Sequence, residues 1–133
     1  METGVGKGTL WTGRVVSALP VLMMAMSGGF KLVGAFTGSE EMLKNWAHFG
    51  YPPSALLPIG ILEVACALVY AFPRTSVLGA VLVTGYLGGA VATHVRMSES
   101  VWFAPALLGA LAWLGLFLRD PRLRALLPLR RDP

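Results

Sequence analysis

The composition of this chain is that of a membrane protein rather than of a water-soluble domain. Its 133 residues are 55% hydrophobic and only 14% charged, and the mean hydropathy is +0.65. A chain this short and this apolar forms one domain and lacks the polar surface that a soluble protein needs. The single cysteine excludes an intrachain disulfide framework, and one cysteine with two histidines falls short of a zinc or haem signature.

Four apolar runs are each long enough, at about 20 residues, to cross a bilayer as a helix. They cover residues 13–36, 53–72, 75–95 and 100–118. The sequence therefore predicts an all-α fold, an integral membrane four-helix bundle that occupies residues 13–118. A flexible N-terminal head at 1–12 and a basic juxtamembrane tail at 119–133 are predicted to flank it.

The basic residues are distributed unevenly between the two sides of this bundle. The side that holds both termini and the connection between the second and third spans carries eight of the eleven lysines and arginines: Lys7, Arg14, Arg74, Arg119, Arg122, Arg124, Arg130 and Arg131. Because positively charged loops stay in the cytoplasm, both termini are predicted to be cytoplasmic. Topology and anionic lipids then explain the net charge of +4, and no aromatic-interleaved basic patch supports nucleic-acid binding.

The connection between the first two spans, residues 37–52, has the pattern of a short amphipathic interfacial helix. Ser39 is a suitable N-cap, and Gly50 is a suitable terminator. The predicted apolar face carries Met42, Trp46 and Phe49, and the polar face carries Glu40, Lys44 and His48. Such a helix either acts as a spacer on the outer membrane surface or forms a lid over a cavity.

The second span contains one acid, Glu63, about 15 Å from its outer end at a rise of about 1.5 Å per residue. An unpaired carboxylate at this depth costs several kcal/mol, so Glu63 needs a partner or a proton. Lys31, near the outer end of the first span, is the predicted partner because its long side chain can extend toward the acid. A buried acid favours a functional role, although a Lys31–Glu63 pair that only fixes helix register is the alternative.

The third span presents a stripe of small residues at Gly85, Gly88 and Gly89. This spacing predicts that the stripe forms a close contact with another helix. Cys66, an isolated thiol in an apolar helix, is interpreted as a small hydrophobic residue.

The polar and aromatic residues of the outer half predict a cavity that opens toward the outer leaflet. Its catalytic residues are predicted to be Glu63 and His94. Its substrate-binding residues are predicted to be Lys31, Tyr86, Trp113 and His48, and no metal site is expected.

The chain contains six short motifs, and the similarity that they carry covers nearly the whole chain from Trp11 onward. They are Gly-Phe-Lys-Leu at the end of the first span, Phe-Gly-Tyr-Pro before the second, Leu-Glu-Val within it, Phe-Pro-Arg-Thr before the third, Gly-Tyr-Leu-Gly-Gly-Ala with the following Thr-His, and Leu-Arg-Asp-Pro after the fourth. Together they resemble the DoxX-like family of small bacterial membrane proteins.

The resemblance implies a four-helix, multi-pass protein of the bacterial inner membrane with recurring polar positions at Lys31, Glu63 and His94. Related proteins are linked to quinone-coupled oxidation of thiosulfate and to membrane complexes that handle thiol stress. More distant relatives assist the assembly of other membrane proteins.

Three hypotheses of function follow. The first is a membrane subunit of a quinone-linked redox system, with a bound quinone or similar lipophilic molecule and a cytosolic redox enzyme or a second copy of the chain as partner. The second is a stand-alone intramembrane enzyme that uses Glu63 and His94 as acid and base on a hydrophobic small molecule. The third is an assembly module without chemistry.

Reporter fusions test the predicted orientation. A reporter that is active only in the cytoplasm is expected to be active when fused to the C-terminus, because eight of the eleven basic residues lie on that side. A reporter that requires export should be inactive in the same fusion. The reverse pattern would contradict the predicted topology.

Overall fold

The computed structural model describes residues 4–131, and these form six α-helices and two short 3-10 turns. The helices are α1 Lys7–Thr37, α2 Glu40–His48, α3 Leu56–Ala71, α4 Ser76–Arg96, α5 Phe103–Arg119 and α6 Pro121–Leu126. The 3-10 turns, Pro53–Ala55 and Ser100–Trp102, lead directly into α3 and α5. No strand occurs in this part of the chain, and the predicted all-α class is confirmed.

Four segments are long and apolar enough to span a membrane, as predicted. They are Lys7–Thr37, Pro53–Ala71, Ser76–Arg96 and Ser100–Arg119. The first helix starts earlier than the predicted boundary, so residues 7–12 of the predicted flexible head are helical. The reason is that no proline interrupts this segment, and continuing the helix satisfies backbone groups that would otherwise need other partners. The first three residues of the head lie outside the described residues.

The four long helices form a closed bundle. Helix α1 packs against α3 and α5, and α4 packs against the same two helices from the other side. The beginning of α1 contacts the end of α5, and the connection from α3 to α4 lies at this same end. We call this end of the bundle the base, and the opposite end, where α2 lies, the lid end.

Two pairs of glycines bring α1 close to its neighbours. A Cβ atom added to Gly28 would lie 3.2 Å from the carbonyl oxygen of Gly60 on α3, and one added to Gly60 would lie 3.3 Å from that of Gly28. Gly13 and Gly115 stand in the same relation between α1 and α5, at 2.9 Å and 3.0 Å. The backbones therefore touch at these points, and only glycine leaves room for the contact.

The close contact predicted for Gly85, Gly88 and Gly89 is wrong. A Cβ atom at any of these positions would meet no atom within 4 Å. On α4 the close approach occurs instead at Gly79, where a Cβ atom would collide with the backbone of Tyr70 on α3. A small-residue stripe can serve either a helix contact or an open space, and here Gly85 and Gly89 border a cavity.

The base is held by hydrogen bonds among buried polar groups of all four long helices. The Tyr70 hydroxyl donates to the carbonyl oxygen of Ala112 at 2.6 Å and lies 3.0 Å from the Ser17 hydroxyl. The Ser76 hydroxyl donates to the carbonyl of Tyr70 at 2.9 Å. Satisfied polar groups of this kind stabilise contacts between helices in a membrane by modest amounts, roughly 1 kcal/mol each.

The beginning of the predicted basic tail folds back onto the base. Helix α6 buries Leu123 against the core, and Arg124 donates to the carbonyl oxygens of Phe117 and Leu118 at 3.0 and 2.7 Å. The Asp120 carboxylate caps this helix by accepting from the Arg122 amide. Residues 132–133 of the tail lie outside the described residues.

Replacing Gly79 with alanine is expected to lower the free energy of unfolding in detergent by about 1 to 3 kcal/mol, because the added methyl group would push α3 away from α4. Thermal unfolding measures this effect. Gly88→Ala on the same helix is the matched control and should leave the melting temperature nearly unchanged. Equal losses in the two variants would contradict the assigned contacts.

Candidate functional site

The segment after α1 covers the lid end of the bundle. Ser39 caps α2 by accepting a hydrogen bond from the Met42 amide at 3.4 Å, and Gly50 ends the segment with a φ of 82°. The Trp46 side chain is buried, stacks on Tyr51 at 4.9 Å and donates to the carbonyl of Pro52 at 3.0 Å. The predicted amphipathic helix is confirmed, and its inward packing favours the interpretation as a lid.

A cavity of about 350 Å³ lies beneath α2. We call it the lid cavity. Its walls are mostly apolar and come from α1, α3, α4 and the segment that contains α2. They consist of Lys31, Trp46, Phe49, Tyr51, Ile59, Leu62, Gly85, Tyr86, Gly89, Ala90, Thr93 and His94. Its size falls within the range of roughly 300 to 1,000 Å³ that is usual for small-molecule sites.

The predicted ion pair lies at one side of this cavity. Lys31 Nζ is 2.7 Å from Glu63 Oε2 and donates a second hydrogen bond to the Ser27 hydroxyl at 2.7 Å. Glu63 is only 4% exposed, so its carboxylate is shielded from water and Lys31 is its partner. It does not border the cavity directly, contrary to the expectation that it would face it. Lys31 stands between the acid and the open space.

Tyr86 adds a third polar side chain to the Lys31–Glu63 pair. It borders the cavity from α4, and its hydroxyl lies beside the Glu63 carboxylate. Gly85 and Gly89 flank it on the same wall. Since these glycines have no side chain, they leave the space that a ligand next to Tyr86 would need.

His94 and His48 are joined through an acid that was not predicted from the sequence. His94 Nδ1 is 2.6 Å from Glu99 Oε2, and His48 Nε2 is 3.1 Å from Glu99 Oε1. We call these three residues the latch. Hydrogen bonds from His94, and more weakly from His48, hold the pKa of Glu99 below its ordinary value. The only signal for Glu99 in the sequence is an acid five residues after His94, which is too common a spacing to identify it.

Further contacts hold α2 to the end of α4. The Arg96 guanidinium donates to the carbonyl of Phe49 and lies over the Tyr51 ring at 5.7 Å. The Tyr51 hydroxyl is 2.8 Å from the Thr93 hydroxyl. Polar contacts therefore join the lid segment to α4, while Met42 of α2 packs against Gly34 of α1.

On the α1 side a second, apolar cavity of about 370 Å³ lies between α1 and α2. Met23, Met26 and Phe30, which border it, are each more than half exposed on the surface of the bundle. Lys31, Trp46 and Phe49 border both cavities. The two spaces are thus neighbours, and the second lies on the α1 side of the first.

Two predicted binding residues lie outside the lid cavity. Trp113 borders a separate groove between α4 and α5, where its ring N–H donates to the Thr84 hydroxyl at 2.6 Å. His48 lies on the outer face of α2 with a largely exposed side chain. Cys66 is buried in the core. Within residues 4–131, no cluster of histidine, cysteine and acidic residues could hold a metal ion.

Comparison with known proteins places the chain in one family. A family model described as the DoxX-like family matches residues 15–115. The match covers more than half of the chain and includes Lys31, Glu63 and His94. No curated protein and no solved structure matches the chain.

The latch predicts how the lid responds to pH. The lowered pKa of Glu99 means that its contribution is present above the ordinary value of 4.5 and is lost as the pH falls through the lowered value. The contribution of Glu99 should therefore keep the amide exchange of α2, corrected for the intrinsic rate, constant from neutral pH down to the ordinary pKa of 4.5. The exchange should rise as the pH falls further, through the lowered pKa.

At neutral pH, Glu99→Ala is expected to accelerate the hydrogen exchange of α2 by about fivefold, because the bridge between α2 and α4 is lost. Glu41→Ala removes an exposed acid from α2 itself and is the matched control. If both variants exchange at the wild-type rate, the latch does not hold the lid.

Proposed function

Because this chain belongs to the DoxX-like family and places a buried ion pair beside an apolar cavity, we propose that it is the membrane subunit of a quinone-linked redox system. In this proposal the lid cavity binds the quinone. The observation that carries the proposal is the lid cavity itself, whose apolar walls end at the hydrogen-bond donors Lys31 and Tyr86, with Glu63 directly behind them.

The chemistry of the cavity fits a molecule with an apolar ring and carbonyl oxygens. Aromatic and aliphatic walls from Trp46, Phe49, Ile59 and Leu62 favour a flat apolar ring. The Lys31 ammonium has three N–H donors and uses two of them for Glu63 and Ser27, so a carbonyl oxygen of the ligand can accept the third. The ion pair supplies a fixed local dipole in surroundings of low dielectric constant, which strengthens its interactions.

Glu63 and His94 have the proposed role of proton carriers. Reduction of a quinone takes up two electrons and two protons, and its oxidation releases them. The electrons would come from, or go to, a partner redox enzyme at the membrane surface. A proton could pass between the ligand and Glu63 beside Lys31 and Tyr86, while His94 borders the cavity near the lid end.

The position of the second cavity supports a lipophilic ligand. A quinone has a long apolar tail and enters from the bilayer rather than from water. The opening between α1 and α2 leads from lipid-facing methionines to Lys31, so the tail can stay in lipid while the head reaches the lid cavity. We propose the bacterial inner membrane as the location. This membrane contains quinones, and the DoxX-like family consists of small bacterial membrane proteins.

The geometry gives less support to a stand-alone acid–base enzyme. Glu63 is paired with Lys31, and His94 is paired with Glu99. Each group therefore has its own partner on a different side of the cavity, and no observed contact joins Glu63 to His94.

The double replacement Lys31→Met, Glu63→Leu tests the proposal. It removes both charges together, so no buried charge is left unpaired and the bundle should still fold. The amount of quinone that copurifies in mild detergent from quinone-containing membranes, measured by mass spectrometry, is expected to fall by about tenfold or more. The single variant Glu63→Gln is a weaker test, because it leaves Lys31 without its counter-charge and lowers stability as well.

Trp113→Phe is the matched control, since Trp113 lies in a different groove, and it should retain the quinone. A folded double variant that retains as much quinone as the wild-type protein would show that the pair is only structural. A wild-type protein that carries no quinone from such membranes would also overturn the proposal.

A further inference from the structure

At the base, far from the lid cavity, a second site contains two arginines. A groove of about 390 Å³ lies between α1 and α3, beside the end of α5. We call it the base groove. Arg14 and Arg119 border it together with the apolar residues Ala18, Val21 and Pro73. The proposed quinone function uses none of these residues.

The Arg119 guanidinium is held in the groove by neutral groups. Its Nε donates to the Ser17 hydroxyl at 3.1 Å, and its Nη2 lies 3.4 Å from the Ser76 hydroxyl. The same group lies over the Tyr70 ring, with its central carbon 5.5 Å from the ring centroid. These contacts fix the direction of the guanidinium, and none of them is an ion pair. Further N–H groups remain for another acceptor.

Neither arginine forms an ion pair within residues 4–131, although the charge of Arg119 acts on Asp120 through space. The ion pairs in this part of the chain involve Lys31, His48, His94 and Arg122. Asp120, the acid next to Arg119 in the sequence, pairs with Arg122 at 3.1 Å and caps α6. An arginine stays charged even when partly buried, so the base groove has two positive charges available for an anion.

The groove lies near the ends of two spans, where headgroups are expected in a membrane. Arg14 is in the third turn of α1, and Arg119 is the last residue of α5. Basic pockets between membrane helices bind anionic lipid headgroups, and guanidinium groups match a phosphate through paired hydrogen bonds. The apolar residues beside the arginines suit the first part of an acyl chain. We propose that the base groove binds one anionic phospholipid, with its phosphate between Arg14 and Arg119.

Native mass spectrometry of the protein in mild detergent, with phosphatidylglycerol or phosphatidylcholine added at equal concentration, tests this proposal. The wild-type protein is expected to retain phosphatidylglycerol in preference to phosphatidylcholine. Arg14→Gln should lower the fraction bound to phosphatidylglycerol by about fivefold, because one of the two phosphate contacts is lost. Arg14 is exposed and bonds to no buried group, so the variant should melt at the wild-type temperature.

Arg74→Gln is the matched control, because it removes the same charge from the same end of the bundle but lies outside the groove. It should bind phosphatidylglycerol within about twofold of the wild type, since general attraction to the surface changes little. Equal losses in the two variants would show diffuse attraction rather than a site. The proposal would be overturned if Arg14→Gln bound phosphatidylglycerol as well as the wild-type protein does, or if the wild-type protein retained the two lipids equally. It would also be overturned if glycerol phosphate, which has no acyl chains, bound as well as phosphatidylglycerol.

Discussion

The ion pair between Lys31 and Glu63 is the constraint on which the lid end of the bundle depends. Two opposite charges in surroundings of low dielectric constant are tolerated only at short distance and with further hydrogen bonds. Gly28 on α1 and Gly60 on α3 make that short distance possible, because each lets the other helix come close. Gly60 faces the Cβ atom of Lys31 at 3.1 Å, and Gly28 faces that of Glu63 at 3.3 Å, each measured from an added Cβ position. The close backbone contact and the charge pair are therefore one arrangement.

The two ends of the bundle are built differently around this pair. At the base, short hydrogen bonds among Ser17, Tyr70 and Ser76 and the packing of Leu123 join the helices tightly. At the lid end, α2 and the connections cover a cavity and are held by the buried Trp46 and by the more exposed polar contacts of Glu99 and Arg96. Elements with fewer buried contacts open at lower cost. The structure thus combines a base joined by buried hydrogen bonds with a lid held in part by exposed ones.

The parts of this structure that follow from strong energetic rules could be predicted from the sequence. Hydropathy and length determined the four spans, and the cost of a buried charge identified Lys31 as the partner of Glu63. The face of Trp46 and the cap at Ser39 predicted α2 because amphipathic spacing is a strong local signal.

Features that depend on the rotation of one helix against another could not be predicted in the same way. The glycines at 85, 88 and 89 have the spacing of a helix contact, yet they face open space. Trp113 faces a groove on another side of α4 for the same reason. The latch also required the fold, because Glu99 and His48 are distant in sequence and only the return of α2 over α4 brings them together.

The tightly packed layer below the ion pair has a consequence for the membrane as an electrical barrier. Met24, Ala67, Tyr70, Ala112 and Leu116 fill the interior on the base side of Glu63 and are almost fully buried. Glu63 therefore faces tightly packed, mostly apolar side chains in that direction, and the lid cavity lies on its other side. A protein built in this way can hold an ionisable group deep in the bilayer without short-circuiting the proton gradient across it.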